Sequence, residues 1–554
     1  MSCGPFHPIR LQNQARRLLN CLSYAMFVPL TPIRCLHRAL DLFPQKLGVI
    51  CGDRQFTYHE FGQRCQKLAN ALKAEGIGPG DRVAYLSFNN HALLEGYYGV
   101  VQAKAIVMPL NVRLSVVELV NILNHSGARM VIFENDFAET IAQLTQQCPE
   151  VQRWVAIDAK LPFAHCTYEE LLDQGHPERA DIFAVDENSV AELFYTSGST
   201  GTPKGVTLSH RSLYLHAMSI ASMFESVETM VDLHTIPLFH ANGWGRPQAS
   251  TMMGTKQIMV RRFEPTLVFK LIQEHKATDM SVVPTMANSL LNAPDRNDYD
   301  LSSMRNVMTG GAASSPELIA RLEGLFHCKI FGGYGLSETC PVLTSARPKP
   351  GLEYASDADR QSRRAMAGWP VLGVEVRVVD PEMRDVPRDM NTIGEIIAMG
   401  DHVMQGYFKE PEVTAGVMTG PWFHTGDMAV WDEQGFIHIV DRKKEIIISG
   451  GENISSIEVE KAIFAHPEVY ECAVVPAPHE KWGEVPVAVV VRKPGSTLTA
   501  EALMEFLMPR LGKFKLPRLI EFRDEDLPKT GTGKIRKMVL KDKYWEGKSR
   551  RVQG

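Results

Sequence analysis

The residue types best suited to chemistry are concentrated at 196–205, which reads Thr-Ser-Gly-Ser-Thr-Gly-Thr-Pro-Lys-Gly. Hydroxyls on Thr196, Ser197, Ser199 and Thr200 can donate hydrogen bonds, and Gly198, Gly201 and Gly205 let backbone N–H groups close on an anion. Lys204 adds a counter-charge, so the stretch is suited to a phosphate. A flexible Ser/Gly surface loop has a similar composition. Two features argue against that reading: an apolar, strand-like run at 190–195 directly precedes it, and Pro203-Lys-Gly205 is stiffer than a linker. The stretch is not a Walker A loop, because no Gly-Lys-Ser/Thr follows a glycine at the required distance.

Two further glycine-rich stretches share this character. Asn306-Val-Met308 runs into Thr309-Gly-Gly-Ala312, and Lys329-Ile-Phe331 runs into Gly332-Gly-Tyr-Gly-Leu-Ser-Glu-Thr339. Each reads as a short apolar strand ending in a glycine turn, and open α/β sheets gather their ligands at such carboxyl ends.

The elements that must position these turns alternate along the chain. Thr57 with Glu60 is a capping-box signature, and Phe61, Cys65, Leu68, Ala69 and Leu72 follow at helical spacing. A strand at 83–88, a helix-like segment at 93–103, a strand at 105–110, a helix at 115–124 and a strand at 130–133 continue the pattern, which implies right-handed βαβ units and largely parallel sheets. From about 366 to 440 the texture becomes all-β, with strands at 374–379, 394–399 and 435–440. The charged run Asp441-Arg-Lys-Lys-Glu445 then marks the main boundary, and a second alternation begins near Ile446.

Totals bound the answer. A chain of 554 residues is too long for one core. A net charge of −5, from 59 basic and 64 acidic residues, lacks the global basic footprint of a nucleic-acid binder, so an anionic ligand needs a local site. Ten cysteines are scattered singly, without Cys-x-x-Cys pairs or Cys/His clusters, and read as reduced thiols in a cytosol-like compartment. No apolar run approaches the roughly 18–20 residues of a membrane span. The apolar stretch 18–30, after Arg16 and Arg17, has the look of a signal peptide but no small-residue cleavage site. It runs into Pro29-Leu-Thr-Pro32, which favours a docked N-terminal segment.

Five motifs in order, namely 196–205, Tyr334-Gly-Leu-Ser-Glu-Thr339, Thr425-Gly-Asp427, Asp441-Arg-Lys-Lys-Glu445 and Pro528-Lys-Thr-Gly-Thr-Gly-Lys534, resemble those of the adenylate-forming, AMP-binding superfamily. That superfamily includes acyl-CoA synthetases, coumarate-CoA ligases, luciferases and adenylation domains, and the resemblance covers nearly the whole chain. Within it, Pro29-Leu-Thr-Pro32, Phe239-His-Ala-Asn-Gly-Trp244 and Ile446-Ile-Ile-Ser-Gly-Gly-Glu-Asn-Ile454 look most like bacterial and plant acyl-activating enzymes.

The resemblance implies an α/β fold: a large N-terminal domain (1–440) of two α/β subdomains plus a small β-barrel-like subdomain, a hinge (441–445), and a small mobile α+β C-terminal domain (446–554). It implies a ligase that joins a carboxylic acid to ATP, releases pyrophosphate and transfers the acyl group to coenzyme A. One anion must approach another, so electrostatic neutralisation is the main task. By resemblance, Thr196, Ser197, Gly198, Ser199, Thr200, Gly201 and Lys204 hold the β- and γ-phosphates, and Glu338 is the Mg2+ ligand. Thr339 serves the α-phosphate, Gly310, Gly311 and Ala312 flank the adenine, and Tyr334, between Gly333 and Gly335, stacks on it. Asp427 takes the ribose diol, Arg442 the ribose and phosphates, and Lys534 the carboxylate and α-phosphate in the first half-reaction.

For the second half-reaction, the small domain rotates about Lys444 and presents Gly450 and Gly451 to the acyl-adenylate and the pantetheine arm. His240 and Trp244 fall on the segment beside the acyl pocket: by resemblance His240 is a catalytic residue that closes against the acyl-phosphate in the first state, whereas Trp244 is read equally well as a gate of the acyl tunnel or as an ordinary core residue. The expected substrate is a medium-chain fatty or related acid, and the expected location is cytoplasmic. No nucleic acid or transmembrane segment is expected, and a homodimer is left open. The alternatives are an adenylating enzyme that delivers to a carrier protein and a catalytically silent acyl or nucleotide binder. Intact Glu338, Asp427, Arg442 and Lys534 argue against the silent binder.

Overall fold

A computed structural model describes residues 27–196, 203–443, 445–449, 452–529 and 535–546. The helix Tyr58–Ala74 begins as the capping box requires, with the Thr57 hydroxyl accepting from Glu60 N–H and the Glu60 carboxylate accepting from Thr57 N–H. Ser115 caps Val116–Ser126 in the same way, and Gly127 ends that helix in the left-handed region. The helix His91–Gln102 is buried along its whole length, as an apolar run on all sides demands. Its one carboxylate, Glu95, is satisfied by Arg64 at 2.6 Å and the Tyr168 hydroxyl at 2.8 Å.

The chain divides into two compact units. One comprises Met1–Arg347, Val371–Val374 and Gly400–Thr414, and the other Pro348–Pro370, Glu375–Met399 and Ala415–Gly554. The first unit contains two sheets. In one, Val342–Ser345, Lys329–Gly335, Asn306–Thr309, Asp279–Val282, Val231–His234, Lys256–Met259, Leu47–Cys51 and Arg54–Thr57 lie side by side. The inner pairs are parallel and the outermost pairs antiparallel. In the other sheet the order is Gly406–Tyr407, Lys204–Ser209, Val190–Thr196, Ile106–Pro109, Arg82–Leu86, Ala128–Phe133, Arg153–Ala156 and Cys166–Thr167. Five of its pairs are parallel, as the alternation of strand and helix implies. One face of this sheet buries Leu86, Met108, Val131, Phe133 and Leu193 against the helices Val116–Ser126 and Ala138–Gln147.

The second unit holds the strands Val374–Val379, Gly394–Gly400, Trp422–Trp431, Met418–Thr419 and Ile437–Arg442 in one five-stranded sheet. A second five-stranded sheet is built on the long hairpin Val469–His479 and Gly483–Arg492, to which Leu519–Arg523 adds in parallel. Ile447, Val459, Ile463, Val474, Leu503 and Leu507 form the core on one of its faces.

The Pro-Leu-Thr-Pro segment is docked, with Leu30 N–H donating to Glu187 at 2.7 Å and the Thr31 hydroxyl 2.9 Å from His210 Nδ1. Most of the apolar stretch before it lies outside the described residues. The eight described cysteines are unpaired thiols. Among the described residues no helix is long and apolar enough to cross a membrane.

Candidate active site

The two ends of the 196–205 stretch are clamped by a hairpin. Val190–Thr196 and Lys204–Ser209 run antiparallel, with Thr196 opposite Lys204. Ser197, Gly198, Ser199, Thr200 and Gly201 lie outside the described residues. A side chain on Gly205 would meet Leu193, Phe408 and Tyr195 at 3.1–3.2 Å, so the strand leaves the loop through a tight gap.

The short strand Gly406–Tyr407 pairs antiparallel with Lys204–Ser209, placing Tyr407 opposite Val206. The Tyr407 hydroxyl donates to Glu338 Oε1 at 2.9 Å, and Lys204 Nζ stands 5.0 Å from the centre of the same ring. Burial, reinforced by the Glu338 charge, raises the Tyr407 phenol, which therefore stays protonated and keeps donating. Lys204, Tyr407 and Glu338 thus form one cluster of cation, aromatic ring and carboxylate. Tyr407 belongs to none of the sequence motifs. Its only local signal is a Gly-Tyr pair that passes for an ordinary turn.

Glu338 is presented by a rigid turn. The strand Lys329–Gly335 continues through the glycines expected to form a turn, pairing with Asn306–Thr309 on one side and Val342–Ser345 on the other. A Cβ on Gly335 would lie 1.6 Å from the Pro341 carbonyl oxygen, and one on Gly333 1.9 Å from the Met308 methyl. Close approach, not turn geometry, is what demands glycine there. In the turn itself, the fully buried Thr339 donates from its hydroxyl to the Pro341 carbonyl at 2.6 Å and accepts from Leu336 N–H at 3.1 Å. Met404 N–H holds the Glu338 carbonyl at 2.8 Å. Tyr334 is half-buried opposite Thr344.

The neighbouring carboxyl end carries Gly310, Gly311 and the exposed Ala312. A Cβ on Gly310 would stand 3.0 Å from the Trp244 indole and 3.1 Å from the Gly333 carbonyl, and one on Gly311 3.5 Å from Trp244. Trp244 is 6% exposed and belongs to a turn, residues 241–245, in which every φ lies between 47° and 72°. Each non-glycine residue in that region costs on the order of 1–2 kcal/mol. The chain entering the turn is pinned from the other sheet. The Asn89 amide bonds the His234 and Ile236 carbonyls at 3.0 Å and Leu238 N–H at 2.7 Å, and the Tyr97 hydroxyl reaches the Leu238 carbonyl at 2.8 Å. His240 is half-buried just before the turn, its N–H bonded to the Pro237 carbonyl at 3.0 Å.

In the second unit, Asp427 and Arg442 are cross-strand neighbours, with Arg442 Nε 2.7 Å from Asp427 Oδ1. Asp427 is buried, whereas the Arg442 side chain is 47% exposed. The adjacent Glu395 is pushed up by burial, but hydrogen bonds from His424 and Lys443 outweigh that and hold it below the usual carboxylate range. Lys444, Gly450, Gly451 and Lys534 lie outside the described residues. Among the described residues no group of three or more His, Cys, Asp and Glu could hold a metal ion by itself. A lone carboxylate such as Glu338 suits a cation whose remaining ligands come from phosphates and water.

A family model described as AMP-binding enzyme matches residues 36–408, and one described as AMP-binding enzyme C-terminal domain matches 458–534. The chain belongs to the AMP-binding enzyme family. The long-chain-fatty-acid–CoA ligase of Thermus thermophilus is 38% identical over 519 residues, 92% of this chain and 94% of the relative. The peroxisomal butyrate–CoA ligase AAE11 of Arabidopsis thaliana is 36% identical over 542 residues, 94% of each chain. ATP-bound MatB from Rhodopseudomonas palustris has a TM-score of 0.81 at 28% identity, over 93% of this chain and 99% of that one. This member of the family is therefore an acid–thiol ligase of the adenylate-forming type, with the mixed α/β architecture the motifs imply.

Proposed function

We propose that this AMP-binding family enzyme activates a medium-chain aliphatic carboxylic acid as its acyl-adenylate, releasing pyrophosphate, and then transfers the acyl group to coenzyme A, releasing AMP. The observation that carries this reading is the cluster of Lys204, Tyr407 and Glu338 beside the 196–205 stretch. It sets a cation for phosphate oxygens next to a carboxylate for Mg2+. The two relatives named above are a butyrate–CoA ligase and a long-chain-fatty-acid–CoA ligase, and a medium-chain acid lies between those two chain lengths.

In this reading Thr196, the loop hydroxyls and Lys204 hold the leaving pyrophosphate. Glu338 would hold Mg2+, which when bound would supply charge neutralisation for adenylyl transfer. Gly310, Gly311 and Ala312 flank the adenine, Tyr334 stacks on it, and Thr339 steadies the turn near the α-phosphate. Asp427 takes the ribose diol, and Arg442 the ribose and phosphates. His240 borders the acid, and Lys534 meets the carboxylate and α-phosphate. Residues 441–445, with Lys444, form the hinge between domains 1–440 and 446–554, and Gly450 and Gly451 face the pantetheine arm. A cytoplasmic location belongs to the same reading, which leaves a homodimer open.

The test is CoA-dependent AMP release measured over straight-chain acids from acetate to palmitate. The expected maximum lies between hexanoate and dodecanoate; AMP release without CoA consumption for every acid would refute the ligase. Lys534→Ala is expected to slow adenylate formation by about a hundredfold or more while sparing thioester formation from preformed acyl-adenylate. Equal loss of both half-reactions would remove Lys534 from its role.

A further inference from the structure

The turn 241–245 carries five successive positive φ angles, including those of Ala241 and Trp244. Such backbone persists only where its surroundings over-determine it, and here the side chains that do so are buried. On the C-terminal side, Arg246 is 5% exposed and donates to Asp232 at 2.9 Å and 2.7 Å, while its guanidinium lies 3.7 Å from the centre of the Phe224 ring. On the N-terminal side, Gln248 Nε2 donates both to Asn242 Oδ1 at 3.0 Å and to Glu192 Oε1 at 2.8 Å. Glu192, Asn242 and Gln248 are at most 1% exposed.

We propose that Glu192 and Gln248 are a positioning pair that sets Asn242, and through it the wall that Trp244 makes against Gly310 and Gly311. Glu192 lies on Val190–Thr196, the strand that runs into 196–205, so the pair ties that strand to the Trp244 wall. Among the described residues Glu192 has no cationic partner, and its Oε2 has no hydrogen-bond partner. Burial pushes its carboxyl well above the usual range, so it stands as a neutral acid. An apolar residue would be easier to bury there than an unpaired carboxyl. Stability therefore does not account for Glu192, whereas holding the Gln248 amide toward Asn242 does. The inference rests on the ligase reading only in treating the Trp244 wall as part of the acid's site.

The test compares full-length wild type with Glu192→Leu, Gln248→Leu, Asn242→Ala and the conservative Glu192→Gln. In acid-dependent ATP–pyrophosphate exchange with butanoate through dodecanoate, the first three variants are expected to raise the acid KM about tenfold and the ATP KM, through Gly310 and Gly311 beside the adenine, by no more than about threefold. Glu192→Gln keeps a neutral polar group of the same shape and stays within about threefold of wild type. Equal damage from Glu192→Gln and Glu192→Leu, or a matching rise in ATP KM, would overturn the proposal. A second arm reads Trp244 emission, isolated by subtracting the spectrum of the matching Trp244→Phe protein. A red shift is expected in the three disruptive variants and none in Glu192→Gln; unchanged emission throughout would also overturn it. Should Asn242→Ala fail to fold, Asn242→Gly removes the amide while suiting positive φ. A wild type that exchanges no pyrophosphate with any acid would refute the ligase reading alone, because the emission arm still decides the positioning pair.

Discussion

At the scale of single residues, the hydroxyl of Tyr407 is the group whose removal isolates one contact. A hydrogen bond to a charged carboxylate contributes about 1.5–3 kcal/mol. Tyr407→Phe keeps the ring under Lys204 but loses the bond to Glu338. We expect pyrophosphate exchange to fall about tenfold or more, with a raised Mg2+ requirement; unaltered Mg2+ dependence would show that Glu338 needs no such partner. Arg442→Gln removes the ion pair to the buried Asp427 and is expected to raise the ATP KM about tenfold while kcat with saturating ATP falls less. Glu338, Asp427 and Arg442 stand out as candidates in the sequence because each sits in a local motif. Tyr407 could not, because its place depends on a strand pairing with a distant hairpin.

At the scale of elements, the strand Lys329–Gly335 and the turn after it work as one rigid piece. A methyl at Gly335 would collide with the backbone carbonyl of Pro341, which no side-chain rotation relieves. Gly335→Ala is thus expected to displace the Glu338 turn, lowering exchange activity about a hundredfold and the thermal midpoint by several degrees. Gly324 is the control. It lies in the helix Pro316–Phe326 with open space around it, and Gly324→Ala should stabilise by about 0.5–1 kcal/mol without touching activity. Thermal melts and exchange rates of the two variants decide the point. The capping box at Thr57 and Glu60, the apolar helix and the alternation of strands were legible in the sequence, because each follows from residues a few positions apart. The extension of one strand through its glycines was not, since the neighbour that demands glycine at Gly335 is the carbonyl of a packed loop.

At the scale of the whole molecule, buried ionisable groups make stability depend on pH. Asp279 lies inside the parallel sheet, bonded to the Asn306 amide at 2.8 Å, and burial raises its carboxyl to about 6, although Arg246 pulls the other way. With the folded value above the unfolded one, the native state binds the extra proton between about pH 4 and 6. Stability from this group falls as pH rises through that window and is fully lost above it. Burial lowers His210 and His402 to about 4, which acts with opposite sign and costs stability as pH falls below their ordinary range. Comparing wild type with Asp279→Asn cancels the histidines. The variant is expected to be more stable by about 1–3 kcal/mol at pH 8 and equal at pH 4. Thermal unfolding at both pH values checks this, and a constant difference would show that Asp279 does not titrate there.

The sequence by itself determined the family, the order of its motifs and most secondary structure, because these rest on local spacing and on residue types matched to phosphate and ribose chemistry. Only the tertiary structure decided which side chains stand around them. Tyr407 reaches Glu338 by pairing with another strand, Asn89 and Tyr97 pin the chain before Trp244, and Glu192 meets Asn242 through Gln248. These partners are brought together by packing across sheets, and such contacts leave no periodic trace in the order of residues along the chain.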